Sequence, residues 1–259
     1  SAMSQNQWAG MMAGDESYAG ARSWTKFEKV VHELTGMPYI LPTHQGRAAE
    51  RILYSHLGGE GKYFISNTHF DTTRANIEFS GALAYDIPIL EAKDFSAHHP
   101  FKGNMDVIKL KGLIEELGAA NISGVILTVT NNSGGGQPVS MQNAREVSKV
   151  CHENKILFIL DMCRIAENAY FIHDREKGFE GKTYKEIAQE MCSFADAAIM
   201  SAKKDGLVNM GGFLSLRNKE LSDACTQLLI ITEGYSTYGG LSGRDMEAIA
   251  IGLEEVFDP

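Results

Sequence analysis

A glycine and an arginine follow a short apolar run, at the predicted start of a helix. The segment reads Thr43-His44-Gln45-Gly46-Arg47. Free N–H groups and the positive end of a helix dipole favour an anion at such a junction, and glycine allows the anion close. An arginine can bind it through two parallel hydrogen bonds. The segment is a candidate phosphate site, and an ordinary helix start with an exposed arginine is the alternative.

A second polar pair, Asp161 and Arg164, comes directly after the apolar run ILFIL. An acid at the end of a buried strand loses hydration and must be paired. Asp161 is therefore either a structural ion-pair partner or a site residue. One use for such an acid is to bind the protonated ring nitrogen of pyridoxal phosphate (PLP), which keeps the ring an electron sink.

A third group, Ser201, Lys203 and Lys204, follows the predicted strand that ends at Met200. Two adjacent lysines on a loop often serve only solubility. After a buried strand, however, one of them can enter a crevice, where burial and a neighbouring cation lower the pKa of its amine toward that of a useful nucleophile or base. The serine can donate a hydrogen bond to a phosphate.

The composition of the 259 residues excludes several classes of protein. With 44% hydrophobic and 22% charged residues the chain is typical of folded domains, and a net charge of −9 argues against nucleic-acid binding. No apolar run approaches the roughly 20 residues of a membrane span. The histidines show no zinc-binding spacing. The scattered cysteines favour a reducing compartment, so we expect a cytoplasmic protein.

The elements that must position these residues alternate between two kinds. Strands are predicted at 39–41, 62–66, 125–130, 156–160, 197–200 and 213–216. Helices are predicted at 46–57, 72–79, 106–117, 141–153, 185–193, 219–229 and 244–257, and a further helix follows from the spacing of Phe27, Val30, Val31 and Leu34. Continuously apolar strands such as VILTVT predict an α/β fold, with a mainly parallel mixed sheet covered by helices on both faces.

The first 22 residues differ from the rest. They are small, polar and rich in methionine, and Gly10, Gly14 and Gly20 interrupt any helical period. We expect residues 1–22 to be an extended or partly irregular segment that leans on another surface. No linker-like stretch divides the remainder, so residues 23–259 are predicted to form one domain.

Several longer stretches occur together in this chain: GDESYAG, PTHQGRAAE, HFDTTR, GGGQPVS, MSAKKDGLVNMGGF and TYGGLSGRDME. In this combination the chain resembles the β-eliminating lyases, the family of tryptophanase and tyrosine phenol-lyase, in register over essentially its whole length. The resemblance implies the large PLP-binding domain of a fold-type I PLP enzyme.

The resemblance also implies the cofactor contacts. Lys204, the second lysine of SAKKD, would form the Schiff base with PLP, and Lys203 would lie beside it. The residues implied to hold the phosphate are Gln45, Gly46, Arg47 and Ser201. The residues implied to contact the ring are Phe70, which stacks on it, Asp161 at its nitrogen, and Asn132 and Arg164 on its phenolic oxygen side.

One position separates the two branches of the family. Tryptophanases resemble FDTT here and tyrosine phenol-lyases FTTT, and this chain has Phe70-Asp71-Thr72-Thr73. A carboxylate can accept a hydrogen bond from an indole N–H, so the resemblance favours tryptophan, cleaved by β-elimination to indole, pyruvate and ammonium.

The family's remaining site residues match positions near both ends of the chain. Tyr18 matches the acid that protonates the leaving indole, and it would reach the site from a neighbouring subunit. Tyr238 matches a further site tyrosine. Glu16 and the carbonyl of Asn209 match a potassium or other monovalent-cation site. The resemblance thus implies self-association into dimers or tetramers.

Family members are nearly twice as long as this chain. We therefore expect a large domain that binds PLP but turns over little substrate alone. The alternatives are tyrosine phenol-lyase, aminotransferase or C–S lyase activity on the same fold, and a non-catalytic PLP-binding derivative. Cys163, between Asp161 and Arg164, is expected to be a small buried spacer.

Overall fold

The computed structural model describes residues 2–258, so Ser1 and Pro259, at the outer ends of the two predicted segments, lie outside the described residues. The strands are β1 Tyr39–Thr43, β2 Tyr63–Ser66, β3 Leu83–Asp86, β4 Ile122–Thr128, β5 Phe158–Asp161, β6 Ala197–Ser201 and β7 Gly212–Leu216. The helices are α1 Gln5–Met12, α2 Arg22–Thr35, α3 Gly46–Leu57, α4 Asp71–Phe79, α5 Val107–Leu117, α6 Met141–Glu153, α7 Ile165–Arg175, α8 Tyr184–Ser193, α9 Lys219–Thr232 and α10 Gly243–Glu255. Two short 3₁₀ turns cover Leu90–Lys93 and Ala119–Asn121.

The chain folds into two compact units. The first unit comprises the described residues up to His56 together with those from Ala197 onward, and the second unit comprises Leu57–Asp196. Within residues 2–258, no helix has both the length and the apolar character needed to cross a membrane.

In the first unit, β7 lies between β1 and β6 and is antiparallel to both. The strands β1 and β6 therefore run in the same direction and end at the same edge. Gly212 pairs with Thr43 on one side and with Ser201 on the other. The residues that follow β1 and β6 consequently leave the sheet side by side.

In the first unit, α10 packs against both α1 and α2. Glu247 of α10 is buried and accepts hydrogen bonds from Ser23 Oγ at 2.9 Å and Lys26 Nζ at 2.7 Å. Phe27, fully buried, meets Phe213 edge-on with ring centroids 6.1 Å apart. Burial of such an aromatic side chain contributes about 1.5–3 kcal/mol, and it fixes α2 on the strands of this unit.

The second unit contains a parallel sheet in the order β5-β4-β2-β3. Its central strand β4 is apolar on both faces, and Val125, Ile126 and Leu127 are fully buried. Because parallel strands end at a common edge, Asp161, Thr128, Ser66 and the chain that follows them lie along one side of this sheet.

The predicted α/β fold with mainly parallel strands is confirmed. Each predicted strand is present. The largest shift is three residues, at the start of β4, and shifts of two residues occur at the ends of β1 and β4 and at the start of β5. The predicted helix of Phe27 to Leu34 is α2, and Gly36 ends it in the left-handed conformation, with φ 64°.

The prediction that the N-terminal segment is extended or irregular is wrong for α1. Ser4 and Gln7 form a reciprocal capping box that starts this helix. Gly10 lies within it and faces α10, where a Cβ would sit 2.2 Å from the terminal Cδ1 of Ile251. In sequence, a glycine at a helix–helix contact looks the same as a glycine that ends a helix.

Besides α1, one strand and one α-helix among the described residues were not predicted. The edge strand β3 has mostly exposed residues and so lacks the apolar run that marks the other strands. The helix α7 starts after Arg164, whose side chain makes no capping hydrogen bond, so it has no local start signal.

Candidate active site

The predicted phosphate segment forms the junction between β1 and α3. Thr43 Oγ1 donates to the Gln45 carbonyl at 2.9 Å, and Gly211 N donates to the His44 carbonyl at 2.8 Å. The helix α3 begins at Gly46, with no acidic residue in its first turn. Its free N–H groups and its dipole favour an anion at this edge.

Two glycines allow the elements of this junction to meet. A Cβ on Gly46 would lie 2.6 Å from Ser201 Cβ, and one on Gly212 would lie 2.5 Å from the Met200 carbonyl oxygen. The start of α3 therefore rests directly on the end of β6. This contact brings Gln45, Gly46 and Ser201 together as predicted, with Ser201 buried.

The two predicted lysines lie on the turn after β6. Lys203 is exposed, and its Nζ donates to Gln45 Oε1 at 3.3 Å. Lys204 is half-buried, and its carbonyl accepts from Leu207 N at 2.9 Å. Arg47, exposed in the first turn of α3, belongs to the same junction. The first unit thus gathers all the predicted phosphate residues and both lysines at one edge.

Three tyrosines of the first unit form a cluster. Tyr18 is 68% exposed and stacks on Tyr235, with centroids 5.6 Å apart, and it also contacts the ring of Tyr238 at 5.4 Å. Its charge interaction and hydrogen bond with Tyr238 raise the pKa of Tyr18. Tyr235 is a member that sequence reasoning missed.

The two predicted cation ligands lie in different surroundings. Glu16 lines a cavity of about 200 Å³ with Tyr18 and Tyr238. Its carboxylate accepts from Gly243 N at 3.0 Å and Arg244 N at 3.3 Å, at the start of α10. Asn209 lines a separate cavity of about 50 Å³. A monovalent-cation site formed by these two residues stays a prediction.

In the second unit, Asp161 ends β5 and is 8% exposed. Its Oδ1 accepts from Cys163 N at 3.3 Å, and its backbone pairs with Thr128 of β4. Arg164 lies at the start of α7, and its Nε atom is 3.8 Å from Glu167 Oε2. The acid is buried at the edge where a parallel sheet places ligands, as the sequence predicted.

The chain after β2 carries the predicted ring-stacking residue. Phe70 is half-buried and forms the N-cap of α4, and Asp71 opens that helix, exposed, accepting from Thr72 N at 2.5 Å. Asn132 is half-buried in the loop after β4, where its carbonyl accepts from Gly135 N at 3.0 Å. These residues follow strands that end at the same edge as β5.

A hydrogen-bond network around the buried His69, beside Phe70, was missed by sequence reasoning. Asp86, which ends β3, accepts at Oδ1 from His69 N at 2.9 Å and contacts His69 Nδ1 at 2.7 Å. Its Oδ2 accepts from Arg74 Nη2 at 2.5 Å. The His69 side chain is fully buried, and its Nε2 has no hydrogen-bond partner among residues 2–258. The motif HFDTTR contained two of these residues, but nothing local in it pointed to Asp86.

Two further polar side chains hold the first unit's junction. Glu233, after α9, is nearly buried and accepts from His44 N at 3.0 Å and from the His44 ring. Gln7 of α1 is fully buried and donates to the Gly206 carbonyl at 3.2 Å, two residues after Lys204. Both pairs join distant parts of the chain, so no short motif could reveal them.

Cys163 was predicted to be a small buried spacer. The predicted burial is wrong, because the residue is half-exposed. It lies on the turn that connects β5 to α7 at the edge of the sheet, where side chains leave the core. The thiols of Cys151, Cys192 and Cys225 are buried. Burial, and the charge of Asp196, raise the pKa of Cys151, and burial raises that of Cys225 to about 12.

Cys163 is expected to be the first thiol modified in the folded chain, at least about tenfold faster than the others, because thiolate formation and access control the rate. The measurement is time-resolved labelling with a maleimide, followed by peptide mass mapping. In a Cys163→Ser chain the fast phase should disappear. A fast phase that persists in that variant would contradict the expectation.

Solved structures with the same fold support the α/β assignment. A cystathione gamma lyase from Micromonospora echinospora superposes with a TM-score of 0.60 at 16% identity, covering 90% of this chain and 52% of that one. A protein named SPT, solved with a PLP internal aldimine, superposes with a TM-score of 0.66 at 14% identity, covering 98% and 58%. At these identities the likeness concerns the fold alone.

The family is defined by closer sequence matches. The sequence model of the beta-eliminating lyases matches residues 1–253. A tryptophanase from Salinibacter ruber is 52% identical over all of this chain and 55% of its own length. A tyrosine phenol-lyase from Pasteurella multocida is 50% identical over all of this chain and 56% of its own. This chain belongs to the beta-eliminating lyase family, and it spans about half the length of these relatives.

The junction in the first unit fits the phosphate of PLP. It combines the start of α3 with Ser201 at the end of β6 and with the amine of Lys203, and Arg47 lies in the first turn of that helix. The contact of Gly46 with Ser201 closes the cradle, because any larger residue would separate α3 from β6. Lys204 lies three residues beyond Ser201, on the turn that leaves this edge.

Proposed function

We propose that the protein to which this chain belongs catalyses PLP-dependent β-elimination of an aromatic amino acid, with tryptophan as the favoured substrate. The observation that carries the proposal is the cradle of Gln45, Gly46 and Ser201 with Lys204 on the adjoining turn, in a member of the beta-eliminating lyases. The products would be indole, pyruvate and ammonium.

Bound PLP would supply the electron sink for the charge left when the substrate loses its Cα proton. Gln45, Gly46, Arg47 and Ser201 would hold its phosphate. Lys204 would bind it covalently. Phe70, Asn132, Asp161 and Arg164 are the proposed contacts of its ring.

The chain's own residues would move the protons. The Lys204 amine, once released by the substrate, would take the proton from Cα. Asp161, as a buried carboxylate, would keep a proton on the ring nitrogen. Tyr18, whose phenol is protonated near neutral pH as in an ordinary tyrosine, would donate to C3 of the leaving indole, a step worth roughly 10²–10⁴-fold.

Substrate choice would depend on Asp71. Its exposed carboxylate opens α4 directly after Phe70, and a carboxylate has about four lone-pair sites, so the bond from Thr72 N leaves capacity for an indole N–H. A threonine at this position would suit a phenol. Tyrosine cleavage is the second candidate function, favoured by the tyrosine phenol-lyase relative at 50% identity.

The test is pyruvate release from tryptophan, tyrosine and S-methylcysteine in the presence of PLP. Because this chain spans 55% of the Salinibacter ruber tryptophanase, it is assayed alone and fused to the part of that enzyme it does not match. The chain alone is expected to bind PLP with little turnover. The fusion is expected to prefer tryptophan. Asp71→Thr is expected to shift the ratio of kcat/KM for tyrosine to kcat/KM for tryptophan toward tyrosine by at least about tenfold. Asp94→Ala is the control, and it should leave this ratio unchanged.

Other outcomes separate the alternatives. Preferred cleavage of tyrosine by the unmodified fusion would assign a tyrosine phenol-lyase, and of S-methylcysteine a C–S lyase. PLP binding without pyruvate from any substrate would identify a non-catalytic derivative. Dependence on potassium, self-association into dimers or tetramers with Tyr18 reaching a neighbouring subunit, and a cytoplasmic location belong to the same proposal.

A further inference from the structure

The turn that carries Lys204 has a strained backbone. Leu207 N donates to the Lys204 carbonyl at 2.9 Å and closes the turn. Leu207 itself has φ 56°, in the left-handed region that a bulky residue rarely adopts. Such a conformation persists only where the surrounding structure holds it in place. Some other part of the first unit must therefore hold this turn.

The side chain of Gln7 makes that contact. It is fully buried, and its Nε2 donates to the Gly206 carbonyl at 3.2 Å and to the Ala248 carbonyl at 2.9 Å. Its Oε1 accepts from Ser4 N at 2.9 Å. Both amide protons and the amide oxygen are thus used. The side chain joins α1 and α10 to the peptide group directly before Leu207.

Close packing leaves the Gly206 carbonyl little freedom. A Cβ on Gly252 of α10 would lie 2.1 Å from that carbonyl oxygen and 2.4 Å from Gln7 Nε2. A Cβ on Gly206 would lie 2.5 Å from the Ala202 carbonyl oxygen. The turn is enclosed by Ala202, which directly follows β6, on one side and by α10 and Gln7 on the other.

We propose that Gln7 is a positioning residue for Lys204. By holding the Gly206 carbonyl, it keeps Leu207 in its left-handed conformation and keeps the turn from Lys204 to Leu207 closed. The amine of Lys204 then leaves the sheet edge in one direction. This inference rests on the proposed function, in which Lys204 binds PLP, and it gives α1 a role within its own chain.

The first readout needs no cofactor. In Gln7→Ala, amide exchange of Leu207 N–H is expected to be about tenfold faster, because one buried hydrogen bond to the turn is lost. The matched control is Asn6→Ala. Asn6 lies next to Gln7 on α1 and also links that helix to α10, through Nδ2 to Glu255 Oε1 at 2.6 Å, but it does not touch the turn. Its removal should leave the exchange unchanged.

The second readout is cofactor binding. The dissociation constant of PLP is expected to rise about tenfold in Gln7→Ala and to stay within about twofold in Asn6→Ala. Leu207→Gly removes the backbone strain. In chains that carry Leu207→Gly, Gln7→Ala should therefore raise the dissociation constant of PLP by less than about threefold. A loss due only to weakened α1 packing would be equal in both backgrounds.

The outcomes are distinct. Equal effects of Gln7→Ala and Asn6→Ala, or unchanged exchange of Leu207 in Gln7→Ala, would overturn the inference. If Gln7→Ala unfolds α1, Gln7→Met takes its place, because methionine keeps the side-chain volume but lacks the amide N–H donors. Gln7→Met is then compared with Asn6→Ala in the same two measurements. If the unmodified chain fails to bind PLP at Lys204, the proposed function falls, while the exchange comparison still decides whether Gln7 holds the turn.

Discussion

Chains that carry Lys204→Ala are expected to lose covalent attachment of PLP completely, whereas Lys203→Ala chains keep it. Only a primary amine can form the bond to the aldehyde, and the two lysines have different surroundings. Lys203 is exposed and donates to Gln45 Oε1 on the phosphate side of the junction. Lys204 is half-buried on the closed turn that ends at Leu207.

The measurement is intact mass after incubation with PLP and reduction with borohydride, followed by peptide mapping of the modified lysine. Lys203→Ala should weaken PLP binding by about tenfold, because it removes one cation from the phosphate junction. It should leave the mapped position at residue 204. Attachment that survives in Lys204→Ala, or that maps to residue 203 in the unmodified chain, would refute the assignment.

Chains that carry Asp86→Ala are expected to be less stable by about 2 kcal/mol. The substitution removes two hydrogen bonds from His69 and one from Arg74, and it leaves a fully buried His69 ring without its partner. The Asp86 side chain is 31% exposed, and solvent screening limits the effect. PLP binding should weaken as well, because His69 immediately precedes Phe70 on the turn into α4.

The stabilisation by Asp86 should depend on pH. Burial acts to raise the pKa of Asp86, but the hydrogen bonds from the His69 ring and backbone, with the charges of His69 and Arg74, outweigh it and lower the pKa. A carboxyl whose pKa is lower in the folded state stabilises the fold above its unfolded pKa, about 3.9. The difference in the free energy of unfolding between the unmodified chain and Asp86→Ala should therefore be largest near neutral pH. It should shrink as the pH falls below about 4 and through the lowered pKa of Asp86.

Denaturant unfolding followed by circular dichroism measures this effect. Tryptophan fluorescence is unsuitable because Trp8 and Trp24 both belong to the first unit, whereas Asp86 lies in the second. Asp94→Ala is the control, since Asp94 is an exposed residue of the same unit. A stability difference that is unchanged at pH 3, or that Asp94→Ala reproduces, would contradict the role given to Asp86.

Much of the fold was predictable because its signals are local. The apolar runs of β4, β5 and β6 exist in the sequence whatever they pack against, and the glycine that ends α2 follows directly on its last apolar turn. The candidate phosphate junction was predictable for the same reason, since Gln45, Gly46 and Arg47 are neighbours in the chain. The family's motifs are likewise short stretches of sequence.

The sequence predicted the type of chemistry that we propose, because the groups able to perform it lie on short segments at strand ends. The contacts that hold those groups in place became known only from the fold. Gln7 and Gly206 are separated by 199 positions, Glu233 and His44 by 189, and Asp86 and His69 by 17. A buried polar side chain must find its hydrogen-bond partner wherever the fold places one, and that partner is set by packing in space, which no local pattern records.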